Sequence, residues 1–120
     1  MREEVLNSIL SELNGTSADI EASAIISTDG LIMSSLLPAS MDEDHVGAMS
    51  AAMLSLGERI AKELARGELE QVLVKGASGY VIMTSAGSDA VLSVMCKANA
   101  RLGLIFLDIK RASEAIKPML

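Results

Sequence analysis

The segment DEDHVGAMSAAMLSLGERIAKELAR, residues 42–66, decides how the rest of the chain is read. It is predicted as one helix of about seven turns at 3.6 residues per turn. Asp42, Glu43 and Asp44 put negative charge at its N-terminus, with Ser40 or Asp42 as the capping residue. Gly67 follows the last turn, where a left-handed residue ends many helices, and Arg66 suits the negative end of the dipole. Val46, Met49, Met53, Leu56, Ile60 and Leu64 recur at spacings of three and four, the stripe expected to face a sheet. Beside it runs a line of small or apolar residues: Gly47, Ser50, Leu54, Gly57, Ala61 and Ala65. The polar remainder is a narrow wedge of Ser55, Glu58, Arg59, Lys62 and Arg66. A helix that covers one face of a monomer needs a stripe only about 100° wide. The extra flank of small residues is therefore expected to seat a symmetry-related copy of the helix. Packing on the chain's own sheet is the plainer alternative.

Working outward, residues 1–14 carry Val5, Leu6, Ile9, Leu10 and Leu13, a short amphipathic helix ended by Asn14-Gly15. Ile20–Ser27 alternates as a strand, Thr28-Asp29-Gly30 turns it, and Leu31–Leu37 returns until Pro38, which cannot donate to a ladder. After the central helix, strands are predicted over Glu68–Lys75, Tyr80–Ala86 and Ala90–Cys96, joined by Gly-rich turns. The last two are nearly continuous in apolar residues, as in strands covered on both faces. A final helix is predicted over Asn99–Lys117, with Asn99 as N-cap and Pro118 as its stop. Gly103 inside it costs about 1 kcal/mol relative to Ala, for which a close backbone approach is the expected compensation. The order is α-β-β-α-β-β-β-α. Short connections make the sheet antiparallel, with the central helix on one face and the terminal helices sharing the other.

A chain of 120 residues is one domain. Half its residues are hydrophobic, yet it has one Tyr, one Phe and no Trp, so its core is aliphatic and Met-rich. No run approaches the ~18 apolar residues that would cross a bilayer. Arg2-Glu3-Glu4 is acidic where a signal peptide is basic, and position 2 is not Gly, so neither leader nor myristoylation pattern is read. Sixteen acidic against ten basic residues give a net charge of −6, which disfavours nucleic acid as partner. The single Cys96 ends an apolar run and reads as a buried thiol in a reducing, cytoplasmic setting.

Several of these stretches together resemble the Roadblock family, the dynein light chain relatives that include bacterial and archaeal regulators of Ras-like GTPases. They are Ser27-Thr28-Asp29-Gly30-Leu31-Ile32, the central helix ending in Gly67, Val72-Leu73-Val74-Lys75-Gly76, Gly79-Tyr80-Val81 and Ala100-Arg101-Leu102-Gly103-Leu104. The set spans about Leu6 to Ile116 and is specific in its order and spacing rather than in any one piece. The resemblance implies an α+β fold, a profilin-like sandwich with a five-stranded antiparallel sheet and helices on both faces. It also implies a homodimer or heterodimer joined by the edge strand Glu68–Lys75, with the two central helices side by side. The interface residues so expected are Gly47, Ser50, Leu54, Ala61, Leu69, Gln71, Val72 and Leu73. The implied task is to bind a small Ras-like GTPase and influence its nucleotide cycle, on a platform formed by Ser55, Glu58, Arg59, Lys62 and Arg66. A structural light-chain-like dimer or scaffold, with no effect on hydrolysis, is the alternative.

Enzymatic chemistry finds little footing. His45 stands alone in the first turn of the central helix, and a metal site needs two or more convergent ligands. Gly76-Ala77-Ser78-Gly79 is followed by Tyr80-Val81 and lacks the Lys-Ser or Lys-Thr of a phosphate-binding loop. No cofactor, metal site or membrane insertion is expected, and any GTP must be held by the partner. Arg59 and Arg66 could act in trans on a transferring phosphoryl group. The plainer account of the wedge is a solvated face with i,i+4 pairs such as Glu58–Lys62 and Arg59–Glu63.

Overall fold

Asp29-Gly30 makes the first hairpin possible: Gly30 holds φ at +90° and donates its N–H to the Ser27 carbonyl at 2.9 Å. A computed structural model describes residues 2–120. Its elements are α1 (Arg2–Thr16), β1 (Ile20–Ser27), β2 (Ile32–Leu36), α2 (Glu43–Glu63), β3 (Gln71–Gly76), β4 (Gly79–Ser85), β5 (Ala90–Lys97), α3 (Leu102–Ile116) and a closing 3-10 turn (Lys117–Met119). The five strands form one sheet in the order β2-β1-β5-β4-β3, every pair antiparallel. This is the α+β sandwich expected from the sequence. β3 and β2 are its two edges, and β5 lies at its centre, buried along nearly its whole length.

α1 packs over β1 and β2 and α3 over β4 and β5, on one face of the sheet. Between them lies a continuous aliphatic core in which Leu6, Leu10, Ile25, Ile82, Leu92, Ile105, Ile109 and Ile116 are fully buried. Three polar side chains in this layer are paired: Ser23 Oγ donates to Asn14 Oδ1 at 2.7 Å, Ser34 Oγ to Asn7 Oδ1, and Ser113 Oγ to the Ser85 carbonyl at 3.0 Å, whereas Thr84 Oγ1 is buried without a partner.

Three helix ends differ from expectation. α1 runs through Asn14 and Gly15 to Thr16 rather than ending at that pair. α2 is capped by Asp42, whose side chain accepts from the Asp44 N–H, but it stops at Glu63 rather than Arg66. The chain leaves the helix through Ala65, two residues before Gly67, which also holds a positive φ of +90°: Ala65 has φ +57°, its N–H donates to Lys62 O, and Arg66 N–H donates to Ala61 O at 2.7 Å. This paired pattern is a Schellman motif with alanine in the left-handed position. α3 begins at Leu102, and Asn99 does not cap it. Arg101 N–H instead donates to Asp19 Oδ2, a residue 82 positions away, at 3.1 Å. Gly103 has no close neighbour to account for it, because a Cβ there would meet nothing within 4 Å.

Candidate functional site

α2 presents three faces, and their assignment inverts the sequence reading. The residues turned into the molecule are Gly47, Ser50, Leu54, Gly57 and Ala61, the small line expected to meet a second copy. Size is the reason. Gly47 lies against the carbonyl of Gly30, and a Cβ on Gly57 would come within 3.0 Å of Val72 and 3.1 Å of Leu69. The helix backbone thus settles directly onto the first hairpin and onto β3, which a stripe of Met and Leu would hold off. The sheet face beneath is correspondingly fine-grained, with Ala22, Ala24 and Ser93 buried in register on neighbouring strands. Gly47, Ser50, Leu54 and Ala61, the helical part of the expected interface, are therefore buried within the subunit and offer little surface to a partner.

The larger apolar stripe, expected to face the sheet, lies about 100° round the helix and faces outward. Met49 is 61% exposed, Leu56 and Ile60 48% each, and Leu64 65%. Met53, on the same line, is half-buried against the small cluster of Leu54, Met83 and Val91. Because Gly57 brings α2 into contact with Leu69 and Val72, this flank lies beside β3. The strand residues of the expected interface divide by face. Val72 and Leu69 are half-buried under α2, while Gln71 and Leu73 are exposed on the opposite face. β3 pairs only with β4, so its outer backbone edge is open.

Ser55, Glu58, Arg59, Lys62 and Arg66 are all exposed, the first four on α2 and Arg66 just past its end. Arg59 pairs with Glu63 at 3.8 Å on α2, and Arg66, past the helix end, donates its Nε–H to the Leu64 carbonyl at 3.0 Å. Glu58 and Lys62 form one wall of an open groove of about 810 Å³, whose far side is the β4–β5 turn with Ser88. His45 is exposed in the first turn of α2. Among the described residues no group of three or more His, Cys, Asp or Glu is placed to hold a metal ion. Burial, reinforced by Asp19 and Glu21, pushes the Cys96 thiol up to about 11, so it is a poor nucleophile at neutral pH. No helix among the described residues is long and apolar enough to cross a membrane.

The sequence profile of the Roadblock/LC7 domain matches residues 6–95. An uncharacterized protein of Methanocaldococcus jannaschii is 41% identical over 96% of this chain and 99% of its own length. Among solved structures, Myxococcus xanthus MglB superposes with a TM-score of 0.90 at 23% identity, covering 98% of this chain and 88% of that one. Profilin IB of Acanthamoeba castellanii matches with a TM-score of 0.68 at 16% identity, over 93% of this chain and 96% of its own. At such identities the structural likenesses speak for the fold, which is profilin-like.

Proposed function

This chain belongs to the Roadblock/LC7 domain family, and on that premise we propose that it is a non-catalytic homodimeric platform that binds and regulates a small Ras-like GTPase. The observation that carries the dimer is the outward apolar flank of α2 beside the open edge of β3. Four large aliphatic side chains about half exposed or more on one helix, next to an unpaired strand, form a surface that gains by being covered. A two-fold axis perpendicular to the sheet, beside the outer edge of β3, satisfies both needs at once: the β3 strands pair antiparallel into one continuous sheet, and the flanks of two antiparallel α2 helices meet. The contact on α2 is then made by Met49, Leu56, Ile60 and Leu64, with the small residues beneath them setting the height of the helix.

The paired helices present their polar wedges on one side, and this is the surface offered to the GTPase. Its regulation acts by shifting the partner's switch loops between arrangements that this surface binds unequally. The arginines favour docking over insertion of a finger, because each is engaged locally, Arg59 with Glu63 and Arg66 with the Leu64 carbonyl.

The test has two arms. Sedimentation of the wild-type chain at micromolar concentration is expected to give a dimer, and Leu56→Glu with Ile60→Glu a folded monomer. A monomeric wild type would overturn the reading. A Ras-like GTPase loaded with a GTP analogue or with GDP is then titrated against the dimer, and binding is expected to differ between the two. Arg59→Ala is expected to change stimulated hydrolysis by less than tenfold; a loss of about 10³ or more with intact binding would identify a finger instead. Equal binding of both nucleotide states with no change in hydrolysis would leave a scaffold.

A further inference from the structure

Sulfur is unevenly exposed in this chain. Cys96 is buried, and burial pushes its thiol up to about 11, so almost no thiolate meets an oxidant at neutral pH. Most of the described methionines are sheltered as well. Met33 and Met119 are half-buried against the larger core, and Met83 is buried under α2 in the small cluster that Met53 packs against. Met95 is half-buried on the β5 face that also carries Val91 and Ser93. Two are open. Met41 is 37% exposed in the bend before α2, and Met49 is 61% exposed on the outward flank, in line with Leu56, Ile60 and Leu64.

We propose that Met49 is a modification site through which hydroperoxides dissolve the dimer: its thioether is oxidised to the sulfoxide, and the oxidised flank no longer pairs. The switch rests on the dimer proposed above; the oxidation itself does not. A sulfur lone pair attacks the terminal peroxide oxygen, forming the S–O bond as the O–O bond breaks. The proton of that oxygen passes to the departing one. Sulfur loses two electrons and the peroxide leaves as water or an alcohol, so the step needs no third reactant.

Polarity explains why the oxidation acts on pairing. A methionine thioether packs as a hydrophobe, whereas its sulfoxide is polar and carries a hydrogen-bond acceptor. On a second copy the facing flank is again Met49, Leu56, Ile60 and Leu64, whose side chains hold no donor. An oxygen covered by that surface gives up water and gains no partner. Pairing in turn covers the thioether. Peroxide therefore reaches Met49 in the free subunit, and the sulfoxide holds the subunit there. Within one subunit the side chain is exposed, so its oxidation leaves the fold intact. A methionine sulfoxide reductase, drawing two electrons from a dithiol, returns the flank to its apolar form.

The test treats the full-length protein with hydrogen peroxide at low and at high protein concentration. Peptide masses report the oxygen gained at each methionine, sedimentation reports the dimer, and circular dichroism reports the fold. Met49 is expected to oxidise several times more slowly in the concentrated sample, while Met41, off the flank, keeps one rate. The oxidised protein should dissociate about tenfold more readily than the untreated one, as expected for one unpaired polar group per flank, with its fold unchanged. Met49→Leu should keep its dimer under the same peroxide, and Met49→Gln should weaken the dimer about tenfold without any. No oxygen gained at Met49, an intact dimer after its full oxidation, or equal loss of the dimer in Met49→Leu would overturn the switch while leaving the dimer standing. An untreated protein that sediments as a monomer would remove the dimer, and the switch with it.

Discussion

The two faces of the sheet are built on opposite plans. Under α1 and α3 the contact is made by large aliphatic side chains that interlock and are fully buried within one subunit. Under α2 the buried cluster is small, Leu54, Met83 and Val91, the helix rests on glycine, serine and alanine, and its large side chains point away. Hydrophobic residues therefore do not all serve one core. On the first face they hold the subunit together; on the second, small residues fix the position of a helix whose large ones remain available. A stripe is read as core-facing because it is greasy, but closeness of approach is decided by size.

The comparison breaks most visibly with a truncation in the larger core. Ile109→Ala removes a fully buried side chain between α3 and the sheet. It is expected to cost about 2–5 kcal/mol in denaturant unfolding, with no dependence on protein concentration beyond that of the parent. A loss under 1 kcal/mol would mean that this face tolerates voids and that the contrast is overstated.

On the other face, enlarging does the harm. Gly47→Ala drives a Cβ into the Gly30 carbonyl, and backbone cannot yield as a flexible side-chain tip can. The expected cost is about 1–3 kcal/mol, read in the same unfolding assay, from overpacking rather than a cavity. No measurable change would show that α2 does not sit as closely as described.

A gain is expected at the end of the same helix. Ala65→Gly relieves a left-handed residue at φ +57° in the Schellman turn and should stabilise the protein by about 1 kcal/mol. Thermal melting of the two proteins at matched concentration decides it; a lower midpoint for the glycine variant would count against strain at Ala65.

The smallest effect concerns the clasp at the start of α3. The Arg101 backbone N–H, followed by its guanidinium, holds the Asp19 carboxyl below its usual range against an opposing effect of burial. Because the folded value is lowered, the stabilisation is fully present above about pH 4, the unfolded value, and is lost as pH falls through the folded one. Asp19→Asn should make the melting temperature less sensitive to acid below about pH 4. An unchanged acid slope would show that Asp19 contributes nothing there.

These contrasts also explain what could be read from the chain alone. The element order, the three hairpins, the antiparallel sheet and, as one of two candidates with Ser40, the Asp42 cap were legible because each depends on residues a few positions apart. So was the exposure of Ser55, Glu58, Arg59, Lys62 and Arg66, since charge turns outward whichever neutral face is buried. The phase of α2 was not. Val46–Leu64 and Gly47–Ala65 are both spaced by threes and fours, and hydropathy favours the wrong one. The signal that could have separated them is the small character of Ala22, Ala24 and Ser93 on the facing strands, but the pairing that gathers them spans distant parts of the sequence. Asp19 as the cap of α3 was out of reach for the same reason, and Asn99 was simply the nearest residue of the right type.

The two rims of the sheet are unlike. β3 is a six-residue strand in unbroken register with its neighbour, whereas β2 has five residues, an irregularity opposite Ile25–Ile26, and Pro38 just beyond its end. A regular rim that meets its own twin is used up in the act, and the blunt rims left at either end discourage further addition. In the proposed dimer, growth by this route would close at a pair. An edge that would otherwise invite fibre formation would then become a device for counting to two.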